Sequence, residues 1–327
     1  PVYLRHEPIQ NKINPKFAYW FYFDLYKKCI YNSIGSGVRS SLTSSDLLEI
    51  SVPLPSLIEQ KFISTYLEKK TKEIDLLIDK VESKIKILDE KIYALINHFL
   101  SKGLDNKVEI KDSGFNWVGE IPYDFNVIKI NYLIDVKDGT HDTPTYIDKG
   151  ELSVPLITSS NFVQGEINFS NCKYISKNDY IEINKRSNVQ KGDVLMSMIG
   201  GNIGSSALVR ENTRFSIKNV CLFKTSDDSK ILPEYLINLL SSKYLKYQVD
   251  IFQKGGGQPF LSLDNLRNLK FPIPNREKQE KINRQLSKNI KVLKKEITLS
   301  KQKIDFLKEY RISLVSEVIT GKIRITK

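Results

Sequence analysis

Residues 42–100 lie over residues 261–319 at one constant offset of 219 residues, without a gap, and this duplication constrains the fold more than any other feature of the chain. Pro53-Leu54-Pro55 meets Pro272-Ile273-Pro274, Gln60 meets Gln279, Ile63 meets Ile282, and Leu67, Leu88 and Leu95 meet Leu286, Leu307 and Leu314. The period is far beyond the roughly 20–50 residues of stacked solenoid repeats, so it marks a duplicated domain-plus-helix unit. Upstream, Gly37 falls opposite Gly256, and Pro15-Lys16-Phe17 falls opposite Pro233-Glu234-Tyr235 after a one-residue gap. Residues 1–55 therefore read as the C-terminal tail of a first domain whose body is absent, and a start at Pro1 fits a fragment.

Downstream of each Pro-x-Pro the pattern turns helical. In the first copy Leu67, Ile74, Val81, Leu88 and Leu95 recur every seven residues, with Ile78, Ile85, Ile92 and Phe99 beside them. The second copy reads Leu286, Leu293, Ser300, Leu307 and Leu314, and its stripe is interrupted by Ser300 and Arg311. Neither stretch contains Pro or Gly, and some 45 residues at ~1.5 Å each give rods of roughly 65–70 Å. A lone amphipathic rod of that length cannot bury its own stripe. The two seams are therefore expected to pack on each other as an antiparallel coiled coil, through Ile74, Val81, Leu88, Leu95, Leu286, Leu293, Leu307 and Leu314. Proline disfavours helical geometry in the residue before it, so the chain stays extended until Ser56 or Asn275 caps the new helix. Glu59, three residues after Ser56, gives the first copy capping-box spacing, whereas Lys278 does not give it to the second.

Between the rods the pattern changes to short β-rich runs at 126–130, 154–158, 193–199, 206–209 and 220–225, with a helix expected at 233–249. The fold class is α+β, one such domain flanked by two long helices. The expected boundaries are 1–55 for the domain tail, 56–102 for the first helix, 103–275 for the second domain and 276–327 for the second helix. The glycines of 200–204 lack the Gly-Lys-Ser/Thr ending of a phosphate loop and precede a strand, so they read as a tight β-turn. His141 beside Asp138 and Asp142 has no nucleophile at supporting spacing; the segment 138–146 reads as a loop presenting polar side chains.

Composition limits the chemistry. The longest apolar run, 17–23, is short against the ~20 residues of a membrane span, so no membrane association is expected. Cys29, Cys172 and Cys221 are an odd number without C-x-x-C spacing, and His6, His98 and His141 are scattered. A disulfide framework and a zinc site are not indicated, and a reducing, cytoplasmic location is expected. The net charge of +12 points to a polyanionic or acidic partner, yet residues 103–275 carry 20 Lys and Arg against 20 Asp and Glu, while residues 276–327 carry 15 against 6. A DNA-binding central domain must therefore gather its cations on one face.

These residues resemble the specificity subunit of a Type I restriction-modification system. The resemblance rests on Asp112-Ser113-Gly114-Phe115-Asn116-Trp117-Val118-Gly119-Glu120-Ile121-Pro122, Asp138-Gly139-Thr140-His141, Lys191-Gly192-Asp193-Val194-Leu195-Met196-Ser197, the Gly-Gly-Gly-Gln-Pro-Phe-Leu-Ser run at 255–262, and both Pro-x-Pro helix starts. It implies two target-recognition domains, each followed by a long spacer helix, which read a split double-stranded DNA target and dock modification and restriction subunits. It implies no catalytic site and no cofactor in this chain; S-adenosylmethionine, ATP and Mg belong to the partners. No Asn-Pro-Pro-Tyr methylation motif or Walker A motif is present. The first recognition domain is represented only by its tail. Sequence readers need polar side chains that reach base edges and cations that hold phosphates. The candidates are Thr140, His141, Thr143 and Tyr146 on the first loop, Lys185 and Arg186 before the Gly192-Asp193 strand, and Lys254 and Gln258 on the glycine-rich run. The competing reading is a coiled-coil scaffold whose α+β domain binds protein or carbohydrate.

Overall fold

The computed structural model describes residues 9, 11–34, 43–105, 107–163, 165–225, 229–252 and 260–325, and divides into two compact units, 1–88 with 294–327, and 89–293. Two long helices, Leu57–Lys102 and Arg276–Ile319, contribute to both units. Among the described residues no helix is long and apolar enough to cross a membrane.

The unit of 1–88 and 294–327 is a helix pair with a short helix, Pro15–Lys27, packed on it. Asn14 caps that helix, its Oδ1 accepting from the amides of Lys16 and Phe17 at 2.9 and 3.2 Å. Phe17, Trp20 and Phe21 are buried with Leu67, Ile74, Leu314, Val315, Val318 and Ile319 in one cluster. The helices run antiparallel here: Asp75 pairs with Arg311 at 3.0 Å while Lys84, further along, pairs with Glu296 at 2.8 Å. Ser300, which breaks the apolar pattern, is buried, and the Arg311 guanidinium turns aside to Asp75 and lies 5.4 Å from the Phe23 ring.

Leu67, Ile74, Val81 and Leu88 form a buried line at seven-residue spacing, but the next buried positions are Ile96 and Leu100, and Leu95 is half-buried. The heptad expectation thus shifts by one residue after Leu88. A straight α-helix drifts by about 20° per heptad, and after three heptads the next residue faces the core. Leu307 is likewise half-buried, between the buried Ile304 and Leu314. Leu286 and Leu293 are buried.

In the unit of 89–293 the main sheet has four antiparallel strands in the order Ser206–Leu208, Val194–Ser197, Val220–Lys224 and Asp135–Asp138. A second sheet sets Ser153–Ile157 between a parallel neighbour, Ser216–Ile217, and an antiparallel one, Lys173–Ser176. The central strands are buried on both faces. Val194, Met196, Cys221 and Phe223 belong to one core with Ile96, Leu100, Tyr235, Phe271, Ile282 and Leu286, while the alternating Leu195, Val220 and Leu222 join Ile157, Phe215 and Ile217 in another. This is period-2 alternation in a run that reads as uniformly apolar.

The helix expected over 233–249 is two helices, Pro233–Leu240 and Lys243–Phe252. Ser242 makes the break: its hydroxyl donates to the Leu239 carbonyl at 2.6 Å and accepts from the Tyr244 amide at 3.2 Å, capping the second helix. The 112–122 segment closes the hairpin of Ile110–Asp112 with Glu120–Pro122 and stacks Trp117 on Tyr247, 5.3 Å between ring centroids. In the run from Lys191 to Ser197, Asp193 is a buried brace: its carboxylate takes Lys224 Nζ at 2.7 Å and the Gln190 amide at 2.7 Å. Burial pushes the Asp193 carboxyl up, and the Lys224 and Gln190 bonds oppose that shift.

Candidate nucleic-acid interface

The strand Asp135–Asp138 ends where the chain must turn without a side chain. A Cβ on Gly139 would lie 2.1 Å from the Ile217 carbonyl oxygen, so only glycine fits. The backbone then locks to the turn before Val220–Lys224: Gly139 N–H donates to Val220 at 3.0 Å, Thr140 N–H to Ile217 at 3.1 Å, and Asn219 N–H to Thr140 at 3.0 Å. Asn219 holds this register with a left-handed φ of 55°, a conformation asparagine tolerates better than most residues.

Asp138 organises the side chains. It is 4% exposed, and an ionised carboxylate at that depth requires partners. It has two: Arg186 lies 2.5 Å from Oδ1 and His141 Nε2 lies 2.9 Å from Oδ2. Arg186 reaches it from the helix Lys177–Ser187, which Ser176 caps by accepting the Asp179 amide at 3.1 Å. The other ring nitrogen of His141, Nδ1, sits 3.1 Å from Asn219 Oδ1. Beneath this cluster the Cys221 thiol is pushed well up, by burial first and by the Asp138 charge second, with Arg267 opposing.

The sequence-predicted residues separate into four groups. Thr140, His141, Thr143 and Arg186 are brought together, Thr143 bonding to Lys218 Nζ and Arg186 sharing Asp138 with His141. Tyr146 is exposed further along the loop, with Lys173 Nζ 6.0 Å from its ring centre. Lys185 points away into an exposed pair with Glu182 at 2.7 Å. Lys254 and Gln258 lie outside the described residues. Three further cations stand at the loop and its neighbours: Lys218, Lys173, and Lys149, which lies 5.9 Å from the Tyr174 ring. A domain of balanced charge thereby gathers Arg186, Lys218, Lys173 and Lys149 around one exposed loop. No motif marks the last three: Lys173 is placed by strand pairing and Lys218 by its bridge to Thr140, while Lys149 lies in the bend after the Ile147 bridge to Tyr174. Among the described residues no group of three or more His, Cys, Asp or Glu side chains could hold a metal ion.

A sequence profile described as the Type I restriction modification DNA specificity domain matches residues 3–86 and 122–315. The Type I restriction enzyme MjaVIII specificity subunit of Methanocaldococcus jannaschii is 25% identical over 322 residues, covering 97% of this chain and 72% of its own length. The Escherichia coli EcoBI specificity subunit is 26% identical over 291 residues, covering 85% of this chain and 59% of that one. Among solved structures, a chain from a study of complex assembly and conformational transition of the type I R-M system superposes with a TM-score of 0.71 at 15% identity, covering 95% of this chain and 72% of that one. The HsdS subunit from Thermoanaerobacter tengcongensis gives 0.51 at 15% identity, covering 96% and 72%. At those identities the structural likeness speaks to the fold.

Proposed function

The chain belongs to the Type I restriction-modification DNA specificity family, and from that premise we propose that residues 103–275 form a target-recognition domain whose loop 138–146 reads part of a DNA sequence. The chain is the DNA-recognising, non-catalytic subunit of a Type I restriction-modification complex. Methyl transfer from S-adenosylmethionine and ATP-dependent cleavage fall to modification and restriction subunits in the cytoplasm, and this subunit directs them to sequence. The scaffold reading draws no support from the family match.

One observation carries the assignment of the loop: polar side chains and cations converge there on a backbone that Gly139 and Asn219 fix in place. Fixed polar groups are what base discrimination needs, and the surrounding cations supply phosphate affinity indifferent to sequence. The long helices are the spacer and the docking surface. On the second, Leu299 and Phe306 are 55% and 66% exposed and seven residues apart, an apolar line that a partner helix can cover.

The test uses the chain assembled with its modification subunit. Thr140→Ala or Thr143→Val should relax methylation at particular base positions, a good contact being worth about 1–3 kcal/mol. Lys173→Ala should weaken all sequences alike and reduce the salt slope by about one unit. Loop variants that keep the wild-type methylated sequence and full affinity place the readout elsewhere in 103–275. The chain freed of its partners should transfer no methyl group.

A further inference from the structure

We propose that Asn219 is a specificity-determining residue, that His141 is the positioning residue that orients it, and that Lys218 beside it contacts a DNA phosphate. The inference rests on the reading of loop 138–146 as the DNA-facing surface, and it moves the base-reading role off His141.

The chemistry of the His141 ring is the starting point. Both of its nitrogens are engaged within the protein, Nε2 with Asp138 Oδ2 at 2.9 Å and Nδ1 with Asn219 Oδ1 at 3.1 Å. An ionised carboxylate only accepts, so Nε2 carries a proton and donates it. The ring is then a strut between a buried anion and an amide, with no hydrogen-bonding atom left for a base. Asn219 is the reverse case. Its amide has two hydrogen-bonding ends, and whichever end meets Nδ1, the other has no partner among the described residues. A half-turn of the amide exchanges oxygen for nitrogen without moving the residue. One polar atom of Asn219 is thus spent on orientation and the other is presented.

The backbone makes that presentation rigid. Asn219 sits at φ 55°, its N–H bonded to Thr140, between the Thr140 and Gly139 bonds to Ile217 and Val220. A side chain held at its backbone and at one end of its amide loses little freedom on binding, which is what a discriminating contact requires. Lys218, its chain neighbour, reaches across the same turn to the Thr143 hydroxyl, so cation and amide stand side by side. A base edge and its neighbouring phosphate have that relation in a groove.

Asn219→Gly is the first variant, because glycine accepts the left-handed backbone and removes only the amide. In the complex with the modification subunit, it should lose discrimination at one base position by roughly 5- to 150-fold, with binding to unrelated duplex unchanged within about twofold. Asn219→Asp, which also tolerates that backbone, should change the preferred base at the same position. His141→Ala should relax that same position, and the double variant with Asn219→Gly should be no worse than Asn219→Gly alone, an outcome a merely structural histidine does not produce. Lys218→Ala should weaken every sequence alike. Full discrimination in both Asn219 variants, alongside loss in Thr140 or Thr143 variants measured in parallel, overturns this inference and leaves the loop as reader. Full discrimination in all four overturns the loop assignment itself.

Discussion

At the start of the first long helix the fully buried Gln60 accepts the Asn14 amide at 2.7 Å and donates to the carbonyls of Lys12 at 3.1 Å and Pro55 at 2.8 Å. At the start of the second, the fully buried Gln279 accepts the Leu232 amide at 2.9 Å and donates to Lys230 at 2.9 Å and Pro274 at 3.0 Å. One side chain thus ties three backbone groups from two segments at each joint: the residue before a proline-initiated helix, the residue two before that, and the second proline of Pro-x-Pro. The aromatic one turn into the short helix is fully buried in both copies, Phe17 in one and Tyr235 in the other. The surroundings differ. Ser64 closes on its own helix, donating to the Gln60 carbonyl at 2.7 Å, where its counterpart Asn283 bonds Asn238 at 3.2 Å; Trp20 stands in the place of Asn238. Before the second joint, Lys270–Ile273 is a strand paired with Asn126–Lys129, whereas residues 51–54 form none. The joint therefore depends on its glutamine and aromatic, and tolerates replacement of the sheet behind it.

The largest expected effect tests that equivalence. Gln279→Leu keeps the volume and orphans a buried N–H and two carbonyls, a cost of about 3–9 kcal/mol at roughly 1–3 for each group left unmade. Gln60→Leu should cost as much if the two joints are the same device. Amide exchange should report it locally, with protection lost at Leu232 in one variant and at Asn14 in the other. A Gln60 variant of wild-type stability would show that the first joint is held by its aromatic cluster instead.

The duplication, the long helices and their caps are legible in sequence because each is a local pattern: seven-residue spacing, proline then Ser56 or Asn275, Gln60 over Gln279. What escapes is set by pairing across the chain. The break at Ser241 and Ser242 lies inside an apolar period that runs straight through it. Helix Lys177–Ser187 is too polar to announce a buried face, and strand Asp135–Asp138 is charged at three of its four positions. Asn219 sits just ahead of the expected run 220–225, where no motif marks it, and its bond to His141 spans 78 residues. The loop 138–146 could be chosen for its polar content, whereas the partners that orient it could not.

A middle-sized effect separates the straight part of the first seam from the part that drifts. Leu88 is buried and Leu95 half-buried, although both occupy the same heptad position. Leu88→Ala should cost about 2–5 kcal/mol, the range for buried leucines. Leu95→Ala should cost about 1–2 kcal/mol in proportion to its smaller burial, and Ile96→Ala should exceed it. Denaturant midpoints for the three variants check the order. Equal losses at Leu88 and Leu95 would restore a strict heptad through the whole helix.

The smallest effect distinguishes the two joints by acid. Ser56 and Glu59 form a reciprocal box: Glu59 Oε2 accepts the Ser56 amide at 3.0 Å and its hydroxyl at 2.8 Å, and the Ser56 hydroxyl accepts the Glu59 amide at 3.3 Å. Asn275 caps the second helix alone, accepting the Lys278 amide at 2.9 Å. Ser56→Ala and Asn275→Ala should each cost about 1 kcal/mol at neutral pH. The bond from the Ser56 hydroxyl, then that from its amide, hold the Glu59 carboxyl below its ordinary range. A depressed carboxyl stabilises the folded helix start above its unfolded pKa and loses that contribution as pH falls through the folded value. The Asn275 amide does not titrate. Amide exchange at Ser56, corrected for its intrinsic pH dependence, should therefore lose protection as pH drops through the glutamate range while exchange at Lys278 does not. Glu59→Gln should abolish the difference between the two helix starts, because a neutral amide at that position no longer responds to acid.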